Sequence, residues 1–144
     1  MLLGEYHHSI DAKKRLSVPS KFRRELGGSI VLTRGLDHSL FLYPREEWQK
    51  IAEKLSELPA GQASTRGFVR LMLAGAQELD VDTLGRILIP DHLKTYAHMN
   101  AQVVIIGVYN RLEIWDEKLW EAYKKDAEKN ADELAEKLGE VGAF

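Results

Sequence analysis

Two stretches of this chain repeat one pattern of apolar and polar positions. In each, an extended run (residues 5–10 and 77–81) reaches an aspartate, a turn follows, and a short alternating strand resumes. Those strands are Leu16-Ser17-Val18 and Ile87-Leu88-Ile89, where alternation and β-branched residues suit a pleated, half-buried surface. Pro19 and Pro90 carry no N–H for a central ladder and preset φ for a helix start, so each should end its strand and open a short helical turn. Residues 20–26 and 91–97 supply those turns, with Gly27-Gly28 and Asn100 as stops. A hairpin follows in each copy: 30–33 with 40–43, and 103–108 with 112–115.

The two stretches align residue by residue. Asp11-Ala12-Lys13-Lys14-Arg15-Leu16-Ser17-Val18-Pro19 lies on Asp82-Thr83-Leu84-Gly85-Arg86-Ile87-Leu88-Ile89-Pro90 at an offset of 71. After one inserted residue, Val31–Gly35, Leu40, Leu42, Tyr43 and Trp48 fall on Val103–Gly107, Leu112, Ile114, Trp115 and Trp120 at an offset of 72. Two copies make a pseudo-twofold unit; a solenoid needs about three or more repeats to stack. One copy of about 45 residues buries too little apolar surface to stand alone, so the copies should pack together or intertwine.

Helical spacing occurs between and after the copies. Trp48, Ile51, Ala52, Leu55 and Leu58 form one apolar stripe ended by Pro59-Ala60-Gly61, and Ser64 is the expected cap of a second helix carrying Phe68, Leu71 and Met72. Asp116 should cap a helix over 117–138, with Leu119, Trp120, Tyr123 and Ala127 on one face and fraying beyond Asn130. The domain reading is a first repeat at 5–48, connecting helices at 49–76, a second repeat at 77–120 and a C-terminal helix at 121–144. The fold class is α+β, mainly β.

Composition changes this picture little. The 144 residues are 44% hydrophobic and 29% charged, with no cysteine, which excludes disulfides, thiolate metal sites and a cysteine nucleophile. The opening residues lack the basic region and long apolar stretch of a secretory leader, and the run 103–108 is too short to span a bilayer, so the expectation is a soluble cytoplasmic protein with no membrane partner. Charge matters more in its distribution than in its net value of −2. Residues 1–24 hold six basic side chains against two acidic, whereas residues 111–144 hold six against ten. The basic end can face a polyanion.

The repeated Asp-x-x-x-Arg is the sharpest chemical feature. One reading makes Asp11–Arg15 and Asp82–Arg86 turn-fixing pairs, the aspartate bonding amides two residues on. The other presents Arg15, beside Lys13 and Lys14, to phosphates or to guanine O6 and N7. Three adjacent cations on one turn repel each other unless an anion neutralises them, which favours the second reading for the first copy. Arg86 has no such neighbours, since Leu84 and Gly85 precede it, but it is kept as a candidate contact to a DNA backbone; Lys21, Arg23 and Arg24 lie just beyond, on the short helix, as further phosphate candidates. His7 and His8 point to opposite faces of a strand, and no metal site, cofactor or small-molecule substrate is expected. Nucleotide-loop, nucleophile-elbow and zinc-protease motifs are all missing, so the chain reads as a non-enzyme. A rival reading from another class is a protein-binding module that works through the acidic C-terminal helix.

Taken together, Gly4-Glu5-Tyr6, both Asp-x-x-x-Arg boxes with their following prolines, Thr33-Arg34-Gly35-Leu36-Asp37, Leu42-Tyr43-Pro44 and Glu113-Ile114-Trp115 resemble the MraZ family of bacterial transcriptional regulators over essentially the whole chain. The resemblance implies two AbrB-like swapped-hairpin units forming one pseudo-twofold β-barrel with flanking helices. It also implies ring-shaped homo-oligomers that bind direct repeats in the double-stranded promoter DNA of the division and cell-wall gene cluster. Members act mostly as autorepressors and locate to the nucleoid. Arg15 transfers as a DNA contact. One departure is Lys14, which stands where the family has glycine, as at Gly85; if that turn needs φ > 0, lysine is less comfortable there by roughly 1 kcal/mol.

Overall fold

Each copy folds into the same succession of strand, tight turn, strand, short helix and hairpin. The computed structural model describes residues 1–143. The first copy comprises β1 (Leu2–Ser9), β2 (Arg15–Ser17), α1 (Ser20–Leu26), β3 (Ser29–Arg34) and β4 (Leu40–Pro44). Two helices follow, α2 (Arg45–Ser56) and α3 (Ala63–Gly75). The second copy comprises β5 (Gln77–Asp80), β6 (Arg86–Leu88), α4 (Asp91–Tyr96), β7 (Gln102–Tyr109) and β8 (Leu112–Asp116), before α5 (Glu117–Lys129) and α6 (Ala131–Glu140).

The copies exchange strands. β1 pairs antiparallel with β7 of the other copy, from Leu2↔Tyr109 to Ser9↔Gln102, while β5 pairs with β3. The β3–β4 and β7–β8 hairpins meet through β4 and β8, giving a six-stranded sheet ordered β1-β7-β8-β4-β3-β5. β2 and β6 form a separate ribbon with Leu16 opposite Ile87. The order is unchanged when the copies are interchanged, and the pseudo-twofold passes through the Leu16–Ile87 and Phe41–Glu113 pairs. The ladder stops at β1 and β5, so the described residues form an open sheet and a ribbon, not a hydrogen-bonded barrel closed all round.

Alternation sorts the side chains into layers. Ile30, Leu32, Leu40, Leu42, Val103, Ile105, Leu112 and Ile114 face the main core. There they meet Leu16, Val18, Ile87 and Ile89 from and beside the ribbon, with Phe22 of α1 and Leu93 of α4. The opposite face is covered by helices: Phe41 and Tyr43 pack on Leu55 of α2 and Met72 of α3, and Val104, Ile106 and Trp115 pack under Leu119 and Trp120 of α5. Trp48 of α2 and Trp120 of α5, half-buried, pack on these two clusters, as their helical spacing suggests.

Several local details differ from the sequence expectation. Pro19 and Pro90 do cap α1 and α4, and Asp116 caps α5 by accepting from the Lys118 amide. Helix α3, however, starts at Ala63 with Gln62 as N-cap and no side-chain cap, so Ser64 lies inside its first turn. The second short helix ends at Tyr96, where left-handed His98 (φ 52°) turns the chain before Asn100 is reached. The single C-terminal helix is two, broken at Asn130, whose amide bonds back to Asp126 O. Phe144, the last residue of the C-terminal segment read as 121–144, lies outside the described residues.

Candidate nucleic-acid interface

The two Asp-x-x-x-Arg boxes fold into matching clasps. Asp11 Oδ1 accepts from the amides of Lys13 and Arg15, both at 2.9 Å, and Oδ2 accepts from Arg15 Nε at 2.7 Å. Asp82 does the same with the Leu84 amide at 2.9 Å, the Arg86 amide at 2.8 Å and Arg86 Nε at 2.8 Å. These bonds hold both carboxyls below the ordinary aspartate range, the arginine backbone amide contributing most. The turn-fixing reading is thus satisfied in both copies. Because the clasp uses Nε, it does not consume the Nη fork, and among the described residues no hydrogen bond engages the Nη atoms of either arginine. That fork is the part of a guanidinium that grips phosphate or guanine.

The ribbon brings the boxes together. Directly opposed residues of an antiparallel pair share a face. Leu16 and Ile87 turn into the core, fully buried, so Arg15 with Leu88 and Ser17 with Arg86 make up the outer face. The turns are also tied across the pseudo-twofold: the Ile89 amide donates to Lys14 O at 2.9 Å, and the Val18 amide to Gly85 O at 2.8 Å. Both arginines therefore stand on one small, rigid, two-stranded surface.

The remaining sequence candidates divide. Lys13 is exposed at the tip of the first turn. Lys14 is left-handed (φ 63°), the conformation Gly85 adopts in the second copy (φ 77°). Its ammonium is 2.7 Å from Asp91 Oδ1, so this cation is drawn toward the other copy's helix. Arg23 is half-buried, donates from Nε to Val18 O at 3.1 Å, and lies on Gly85. That makes it a strut between the copies. Lys21 stacks over the Tyr6 and Phe22 rings at 5.1 and 5.3 Å from their centroids, and Arg24 is exposed on α1. Arg34 and Arg111 are structural: Arg34 bonds Leu71 O, and Arg111 pairs with Glu113 at 2.7 Å while covering the Phe41 ring.

One cluster had no signal in the sequence, because its members come from different elements. Glu5 and His7 of β1 meet Glu121 of α5, with ligand-capable atoms within 4.8 Å of one another. All three are exposed, and the Lys124 ammonium already lies 3.3 Å from Glu5 Oε2. Among the described residues no helix is long and apolar enough to cross a membrane.

Comparison with known proteins agrees with the internal symmetry. A family described as "MraZ protein, putative antitoxin-like" matches the chain twice, over residues 1–71 and 72–140. The transcriptional regulator MraZ of Clostridium tetani is 48% identical over 142 residues, covering 99% of both chains. That of Acetivibrio thermocellus is 49% identical over 142 residues, with the same coverage. The Caldanaerobacter subterraneus protein of the same name is 49% identical over 138 residues, or 96% of each chain.

Proposed function

The chain belongs to the MraZ family and is a transcriptional regulator, and from that premise we propose that it binds promoter DNA through the outer face of the β2–β6 ribbon and its two clasped turns. The observation that carries this reading is the pair of guanidiniums, Arg15 and Arg86, each anchored through Nε with its fork unengaged. A two-stranded ribbon is narrow enough to enter the major groove, where an arginine fork matches guanine O6 and N7. Lys13 adds charge at the rim, and Arg24, exposed on α1, is a further phosphate contact in this reading; Lys14 and Arg23 tie the first copy to the second, and Lys21 packs over Tyr6 and Phe22.

The strand exchange supports taking residues 5–48 and 77–120 as two swapped-hairpin units of AbrB type, with sheet and ribbon as opposite walls of a pseudo-twofold barrel. One ribbon offers few contacts, so specific binding needs repetition. In a ring of identical subunits the same ribbon recurs head to tail, which suits direct repeats better than a palindrome. A closed ring cannot lay every ribbon on straight DNA, so either few subunits engage or ring or duplex deforms. The proposed target is the chain's own promoter, at the head of the division and cell-wall gene cluster, with repression as the outcome and the nucleoid as its location.

Footprinting on the chain's own upstream DNA, beside Arg15→Ala and with particle mass measured in parallel, tests this. Protection of regularly spaced repeats by wild type, lost in the variant at unchanged mass, is expected. Equal protection by both proteins contradicts the assignment.

A further inference from the structure

The pseudo-twofold is broken at the surface where the two copies should be most alike. Positions 13 and 17 of the first box are Lys13 and Ser17; their counterparts are Leu84 and Leu88. Neither leucine is in the core: Leu84 is 62% exposed and Leu88 55%. Leu88 is the cross-strand partner of Arg15 on the outer face of the ribbon, and Leu84 occupies the second turn, its amide clasped by Asp82. Leu84 is held through its clasped amide, and Leu88 by its place in the ribbon. A ligand seated on Arg15 is therefore within reach of Leu88.

Resting on the reading above, we infer that Leu84 and Leu88 are specificity residues that take the 5-methyl group of thymine beside the bases or phosphates held by the arginines. The chemistry leaves few alternatives within a DNA complex. A leucine gains nothing against phosphate or a base amide, and thymine C5-methyl is the apolar group that the major-groove edges present. The two boxes then do different work: the first, with Lys13, supplies charge, and the second reads methyl groups. An operator half contacted by the second box should be rich in thymine.

The test uses the full chain and its own upstream duplex, synthesised with thymine and with deoxyuridine throughout, which removes every methyl and keeps each base pair's hydrogen-bonding groups. Binding is followed by fluorescence anisotropy at one salt concentration for wild type, Leu84→Ala and Leu88→Ala, with particle mass measured for each. Wild type should lose about fourfold in affinity for each methyl contact removed. Each alanine variant should show that loss on thymine DNA and a smaller further loss on deoxyuridine DNA. Equal wild-type affinity for both duplexes, or variants that keep the full deoxyuridine penalty, overturns the inference. A variant that changes particle mass also overturns it, by assigning the leucines to contacts between copies. Wild type binding neither duplex better than unrelated DNA is a different result, and defeats the DNA-binding reading itself.

Discussion

Arg23 of the first copy lies across Gly85 of the second so closely that a Cβ at position 85 would collide with the Arg23 guanidinium. The contact joins helix α1 to a turn that is remote in sequence. It also explains why the second box keeps glycine while the first does not. At the symmetry-related place Lys14 fills its own turn and reaches Asp91, and the counterpart of Arg23 is Lys94.

Gly85→Ala therefore meets two obstacles, a left-handed backbone and an occupied space. We predict a fall in Tm of at least about 5 °C by thermal denaturation. Shortening the strut should relieve part of it, so Arg23→Ala with Gly85→Ala should be less damaging than the two single changes added together. Strict additivity would show that the collision is not the cause.

Lys14 offers the converse experiment. Both Lys14→Ala and Lys14→Gly remove the bridge to Asp91, but only glycine relieves the positive φ. The glycine variant should be the more stable of the two by about 1 kcal/mol in urea denaturation. Equal stabilities would mean that the turn tolerates a Cβ without strain.

In Asp11→Asn and Asp82→Asn the side-chain carbonyl can still accept the turn amides, but the amide NH2 then confronts Arg Nε, donor against donor. DNA affinity should fall more than thermal stability does. The acid limb of stability should change as well. A carboxyl depressed in the folded state contributes above its unfolded pKa, near 3.9, and loses that contribution as pH falls through the lower folded value. Wild type should lose stability as pH falls below 4, and each Asn variant should lose less there. An identical decline in all three proteins would remove the clasps from the account.

His7 and His8 adjoin on β1, yet their pKa values are displaced in opposite directions. Hydrogen bonding to Glu5, then to Glu117, raises the His7 pKa, while burial lowers that of His8. NMR titration should place His7 above 6.5 and His8 below it. The His7 contribution is complete below its unfolded pKa and is lost as pH rises through the raised value, so His7→Ala should flatten that part of the stability profile. The reverse order of the two histidines would contradict the fold's assignment of inner and outer faces.

Much of this was legible because it is local. Aspartate with the amide two residues on, proline after a short strand and the Asp116 cap are all decided within a few residues, and the first two occur once in each copy. What was hidden is long-range. Strand alternation places Ile105 and Ile106 on opposite faces but cannot say that β7 takes β1 rather than β5 as its neighbour. The contact of Arg23 with Gly85, the pull of Asp91 on Lys14 and the Glu5–His7–Glu121 cluster all depend on that exchange or on the docking of α5. Asn130 shows the limit of periodicity: the apolar pattern runs through it, while the backbone breaks there.

The most direct test of the central claim is the salt dependence of affinity for the chain's own upstream DNA, compared among wild type, Arg15→Ala and Arg86→Ala at equal particle mass. If the ribbon's guanidiniums grip the duplex, log affinity for wild type should fall linearly with log salt by about 0.9 per phosphate neutralised. A variant that loses a phosphate contact should show a shallower slope; one that loses a guanine contact should keep the slope while its preference for the site over unrelated DNA falls by about 1–3 kcal/mol. Wild-type slope, affinity and selectivity in both variants would place the DNA-contacting surface elsewhere on the molecule.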